Sequence, residues 1–198
     1  MPLEELEGRP TSRGPLRLAE VRPGRFPEER DALLLAGNDE RPVARLKYFA
    51  GRPSAEVRPW IEATVDTGDE GFAAELVAAL ADLLPSGGYL MIGYGGDETE
   101  RGLKRRFPPV VTPLGKALLD AGCTWFKDWY YPEGWREGGF KLQGNKPLSE
   151  ETRRERLAEL RADVEAWLAE TAGEENELVE QARGRAHAVL ESVVPRSS

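Results

Sequence analysis

The sequence predicts an α+β domain (mixed α/β), a central mixed sheet flanked by helices, with an αα-hairpin at its C-terminus. Alternating apolar runs recur at strand spacing before residue 66. The period then turns helical over 68–84 and returns to a short apolar run at 89–94, so helix and strand interleave. Beyond residue 148 the pattern is helical only, with charged faces. Two units are therefore expected: an α/β domain over 1–147, and a helical hairpin over 148–198 packed on it or on a partner subunit.

Residues 1–30 are rich in Pro, Gly and charge, with one short strand around Leu16–Val21. The run DALLLAG at 31–37 ends in turn chemistry, and VARLKYFA at 43–50 alternates apolar with basic residues. With the polar stretch Asn38–Pro42 between them, the two read as a hairpin. A further strand is expected within 55–65, with Pro59 at an edge or bulge because it has no N–H for a ladder. Over 68–84, Phe72, Leu76 and Leu80 fall on one helical stripe, Thr67 with Glu70 matches a capping box, and Pro85-Ser86-Gly87-Gly88 ends the helix. The run at 89–94 has the length of a buried strand. Residues 97–112 are polar and Pro-containing and read as a surface loop. The segment PLGKALLDA, 113–121, is a short helix with Pro113 at its start and Gly122 past its end.

From 123 to 131 the chain alternates as a strand, with Trp125, Lys127, Trp129 and Tyr131 on one side and Phe126, Asp128 and Tyr130 on the other. Ser149 caps a helix to about Glu170 carrying Leu157, Leu160, Val164, Trp167 and Leu168. Gly173 breaks it, and a second helix turns Leu178, Ala182, Ala186, Val189 and Val193 inward.

The net charge of −8 repels phosphate backbones, so no nucleic-acid partner is expected. No apolar window approaches the ~18 residues of a membrane span, so no membrane partner is expected. One cysteine, Cys123, allows no intrachain disulfide and fits a reducing cytoplasm, the expected location. With His187 the one histidine, a Cys/His zinc cluster is excluded and no metal is expected. His187 sits beside the apolar stripe of its helix and reads as a partly buried structural residue. Cys123 has no suggested base and does not read as a nucleophile.

The aromatic segment Gly122–Pro147 threads Lys127, Asp128, Glu133 and Lys141 between Trp and Tyr side chains, the composition of a small-molecule site. The alternative is a twisted strand with cross-strand ion pairs and a Gly-rich turn. Tyr94, Asp97 and Thr99 follow the apolar strand at its C-terminal end, where ligands favour sheets, or else form a polar turn.

The order strand hairpin, strand, capped helix, strand, short helix, aromatic strand resembles the GNAT N-acetyltransferase fold. The block Leu84–Pro147 also resembles an uncharacterised bacterial and archaeal domain family grouped with it. That likeness is carried by Asp97-Glu98-Thr99, Thr112-Pro113-Leu114-Gly115, Lys127-Asp128-Trp129-Tyr130, Pro132-Glu133-Gly134 and Lys141-Leu142-Gln143-Gly144. The resemblance implies acetyl-CoA or another acyl-CoA as cofactor, its diphosphate held at Thr67, Gly68 and Gly71 on a helix N-terminus. These positions also read as an ordinary helix cap. Asp66, Asp69 and Glu70 stand beside them, and one like-charge contact at ~4 Å costs about 4 kcal/mol before screening.

The resemblance further implies Glu62 as a general base acting through water, or else a solvent-facing strand residue. The usual Tyr acid position falls on Leu118, so Tyr130 or Tyr131 would replace it. Asp128 and Glu133 would hold a substrate amine, and Lys141 an acid group. The implied function is a GNAT-like acyltransferase acting on a small amine-bearing substrate in a Trp/Tyr-lined cleft, beside the splayed middle of the sheet. Its catalytic residues would be Glu62, Tyr130 and Glu133. The substrate would meet Tyr94, Asp97, Thr99, Lys127, Asp128, Tyr131 and Lys141. The alternative is a non-catalytic GNAT-fold ligand-binding protein. A third reading, an S-adenosylmethionine-dependent methyltransferase, rests on the turn Leu83–Leu90 and lacks an upstream Gly-rich loop. Expected partners are a small-molecule substrate and, through the hairpin, a second copy of the chain.

Overall fold

Four antiparallel strands open the sheet: β1 (Leu16–Pro23), β2 (Glu29–Ala36), β3 (Ala44–Phe49) and β4 (Trp60–Val65). The computed structural model describes residues 3–51, 58–94, 97–131 and 139–193; the side chains of Tyr94, Asp97, Tyr130 and Tyr131 lie outside that description. Helix α1 (Glu70–Asp82) carries the chain from β4 to β5 (Tyr89–Tyr94), which lies parallel to β4. A parallel neighbour needs such a crossover, because a tight turn joins antiparallel strands only. Helices α2 (Asp97–Lys104) and α3 (Pro113–Asp120) follow, then strands β6 (Trp125–Tyr131) and β7 (Gly139–Asn145). The sheet has seven strands in the order β1-β2-β3-β4-β5-β7-β6. The sequence reading has no strand over 139–145; here that segment inserts between β5 and the aromatic strand, so β6 is an edge.

Period-two alternation divides the sheet into two unlike faces. Leu34, Leu46, Ile61, Leu90, Ile92 and Leu142 point to one face and are sealed beneath Phe72, Leu76 and Leu80 of α1 and Leu114 and Leu118 of α3. Each such side chain contributes about 1.5–3 kcal/mol of burial. A second cluster continues on the same side. There the C-terminal helices α4 (Glu150–Glu170) and α5 (Glu177–Val193) pack Val164, Trp167, Leu178 and Val189 against Phe107, Val110 and Leu119. Trp167 meets Phe107 edge-on, with ring centroids 4.9 Å apart. Phe126 of β6 touches both clusters and joins the hairpin to the main domain. No described helix packs on the opposite face of the sheet.

Several expectations are corrected. Residues 97–112 are not a surface loop: they hold α2 and a 3-10 turn at Pro109–Val111, with Thr99, Leu103, Phe107, Val110 and Val111 buried. The cap of α1 is Asp69, not Thr67. Gly68 takes a left-handed φ of 62°, which advances the cap by two residues, and the Thr67 hydroxyl bonds the backbone of Asp69 instead. Pro59 precedes β4 and lies outside its ladder. His187 is exposed on α5. The sheet is not splayed between β4 and β5, which stay paired from Trp60↔Tyr89 through Val65↔Tyr94.

Candidate functional site

The uncovered face is built from the residues that alternate away from the core. Register partners place Arg22, Asp31, Lys47, Glu62, Met91, Gln143 and Lys127 in one row across all seven strands. The next row runs Leu33, Arg45, Thr64, Gly93, Lys141 and Trp129. Lys141 pairs with Glu62 over β5, both side chains being largely buried. Lys127 sits 5.3 Å from the centroid of the Trp129 ring, a cation–π distance. Toward β2 and β3 the face sinks into a hollow of about 340 Å³ lined by Asp31, Arg45, Lys47, Glu62 and Thr64. Within it Asp31 Oδ1 is buried and has no hydrogen-bond partner among the described residues. Burial pushes the Tyr89 phenol up, and the charge of Glu62 adds to the rise.

The other side of β6 faces a separate hollow of about 460 Å³, bounded by Glu100, Leu103 and Lys104 of α2 with Asp128, Trp129 and Phe140. The aromatic strand thus splits the predicted substrate residues. Lys127 and Lys141 join Glu62 on the open face, while Asp128 faces α2. Tyr130 and Tyr131 stand opposite Phe140 and Gly139 at the end of β6. Tyr94 ends β5 and Asp97 begins α2. Glu133 lies outside the described residues. Thr99 is sealed at 0 % exposure, and its hydroxyl accepts the Leu114 N–H.

Carboxylates of the chain itself occupy the two helix starts near the predicted diphosphate position. Asp69 accepts the Phe72 N–H at 3.1 Å and pairs with Arg13 at 3.2 Å. The Phe72 N–H, and after it Arg13, hold the Asp69 carboxyl below its ordinary value. Arg13 in turn lies 4.5 Å over the Phe72 ring. Glu70 reaches forward and accepts the N–H groups of Glu98 and Thr99 at 3.0 and 2.8 Å, capping α2. Arg185 of α5 pairs with Glu98 and donates to the Val111 carbonyl at 2.7 Å; its burial pulls the guanidinium below its usual value. Thr67, Gly68 and Gly71 therefore surround a cap already engaged by Asp69.

Leu118, at the position of the usual Tyr acid, is fully buried. Burial pushes the Cys123 thiol up to about 12, which leaves it inert at neutral pH. Among the described residues no His, Cys, Asp and Glu group is arranged to hold a metal, and no helix is long and apolar enough to cross a membrane. The sequence reading missed Asp31, Arg45 and Lys47. The alternation of VARLKYFA was the available signal, since it puts Arg45 and Lys47 on one face.

The family described as Protein of unknown function (DUF1122) matches residues 12–171. The crystal structure of a protein of unknown function from Aquifex aeolicus VF5 is similar over 93 % of this chain and 96 % of that one, with 32 % identity and a TM-score of 0.76. No curated protein matches the chain.

Proposed function

This chain belongs to the family of proteins of unknown function DUF1122, and we propose that it is a small-ligand-binding domain receiving an amine-bearing molecule on the open face of its sheet. The observation that carries the reading is the buried, unpartnered Asp31 Oδ1 in the hollow. A buried acceptor without a donor costs about 1–3 kcal/mol, which a ligand ammonium relieves. Glu62 lies on the same row, and its partner Lys141 is a counter-ion that a ligand amine can replace. Arg45 and Lys47 are exposed at the same hollow and suit an acid group of the ligand.

GNAT-like acyl transfer is the second reading. It is favoured by the order β4, α1, β5, α2, α3, β6 with β4 and β5 parallel. In that reading acetyl-CoA would supply the acetyl group, Glu62 would take the proton of the acceptor amine through a water as the thioester bond breaks, and coenzyme A would leave as the thiol. Tyr130 or Tyr131 would protonate the leaving sulfur and Glu133 would hold the amine, while Asp128 faces α2 on the other side of the sheet from Glu62. Thr67, Gly68 and Gly71 receive the diphosphate only after Asp69 gives up the Phe72 N–H.

Thermal denaturation with a panel of primary amines and amino acids, and separately with acetyl-CoA, tests both readings. A ligand at 100 times its dissociation constant adds about 2.7 kcal/mol of stability. A shift with an amine that Asp31→Asn abolishes supports the binding reading. A shift with acetyl-CoA, with amine-dependent release of free thiol, supports the second. Absence of any amine shift sinks the first.

A further inference from the structure

At the opposite end of β6 from Tyr131 lies a hollow of about 380 Å³, bordered by the start of that strand, the end of β7 and the first turns of α4. It shares no lining residue with the hollow on the open face. Its walls carry Arg58, Lys146 and Arg156, and among the described residues no carboxylate lines it. That is an unexpected concentration of one sign in a chain of net charge −8. Arg58 and Lys146 make no ion pair among the described residues; Arg156 pairs with Glu159 on its own helix. Arg58 and Lys146, gathered without a counter-ion among the described residues, repel one another and favour an anion between them.

Two further features belong to the same hollow. Trp125 lines it and is 38 % exposed, with the exposed Leu148 beside it. Thr124 lines it too; it is 3 % exposed, yet its Oγ1 has no hydrogen-bond partner among the described residues. Buried hydroxyls are nearly always bonded, so an orphaned one on a residue that borders a cationic hollow offers a donor for an acceptor bound there. A flat indole beside cations and a free hydroxyl donor suits a ligand with a planar ring and an anionic group.

We propose that this hollow binds an aryl anion, its ring against Trp125 and its phosphate or carboxylate on Lys146 and Arg58, with the Thr124 hydroxyl donating to the same group. The site is independent of the amine site proposed above.

Phenyl phosphate, benzoate, phenol and inorganic phosphate, each titrated into the full chain, test it by thermal shift and tryptophan fluorescence. The two aryl anions separate a phosphate from a carboxylate preference. At least one is expected to bind about tenfold more tightly than both phenol and inorganic phosphate. Lys146→Ala and Arg58→Gln each weaken that binding about tenfold, while Trp125→Leu removes the advantage of the ring. Asp31→Asn leaves it unchanged. Either variant alone serves if the other fails to fold. The proposal is overturned if neither aryl anion binds better than phenol, if inorganic phosphate binds as well as both, or if the folded cation variants bind like the original chain.

Discussion

Lys141 and Glu62 sit two strands apart, on β7 and β4, and pair across β5. Two strand spacings are about 10 Å, more than one side chain spans. Gly93 lies directly between Lys141 and Thr64 in register and carries no side chain, so β5 sets nothing between the two outer strands in that row. The pair ties three strands together on the face that no described helix covers.

Removing Lys141 is expected to cost about 1–3 kcal/mol, because the largely buried Glu62 carboxylate loses the ammonium that it pairs with. Lys141→Met and Glu62→Leu are each expected to destabilise the chain, and the double variant to cost less than the sum. Urea denaturation of all four proteins gives the coupling energy. Additive losses would show that the two side chains do not interact.

Glu70 belongs to α1 but caps α2. Glu70→Ala is therefore expected to cost about 1–2 kcal/mol and to loosen α2 more than its own helix. Hydrogen exchange reads the difference. Amides of Glu98 to Leu103 are expected to exchange faster while those of α1, held by Asp69, keep their protection. Equal loosening of both helices would remove Glu70 from this role.

Acid stability is expected to depend on Asp69. Its folded carboxyl lies below the ordinary 3.8, held by the Phe72 N–H and Arg13. A depressed folded value stabilises fully above 3.8 and loses that contribution as pH falls through the folded value. Asp69→Asn retains a capping oxygen and removes the titration. Its melting temperature is expected to fall less steeply below pH 4 than that of the original chain. Parallel acid limbs would mean that the carboxylate carries none of the dependence.

Cys123 is buried with its thiol pushed up to about 12. Iodoacetamide at pH 8 is expected to leave the folded chain unlabelled and to label it fully in denaturant. Rapid labelling of the native chain would place the thiol at the surface.

Most of the sheet and four of the helices were legible in local pattern. DALLLAG and VARLKYFA alternate, and the Phe72, Leu76 and Leu80 stripe repeats at helical spacing. Strand β7 was not legible, although Phe140 and Leu142 alternate with Lys141 and Gln143, because Gly139 and Gly144 make the run resemble a turn. Helix α2 is short and polar, and what holds it is distant: Glu70 at its start and Arg185 from α5. Lys141 was singled out as a charge within the aromatic segment and Glu62 through the family resemblance. Their meeting depends on strand order, which no residue spacing reveals.

The placement of β7 has a consequence for biosynthesis. A chain emerging from the ribosome delivers β5 and then the aromatic strand before the segment that separates them exists. Until residues 139–145 arrive, one edge of β5 has no partner and the aromatic strand has no final neighbour. The sheet is complete only once β7 pairs with both neighbours, so a released chain truncated at residue 138 is expected to offer foreign strands the apolar edge of β5.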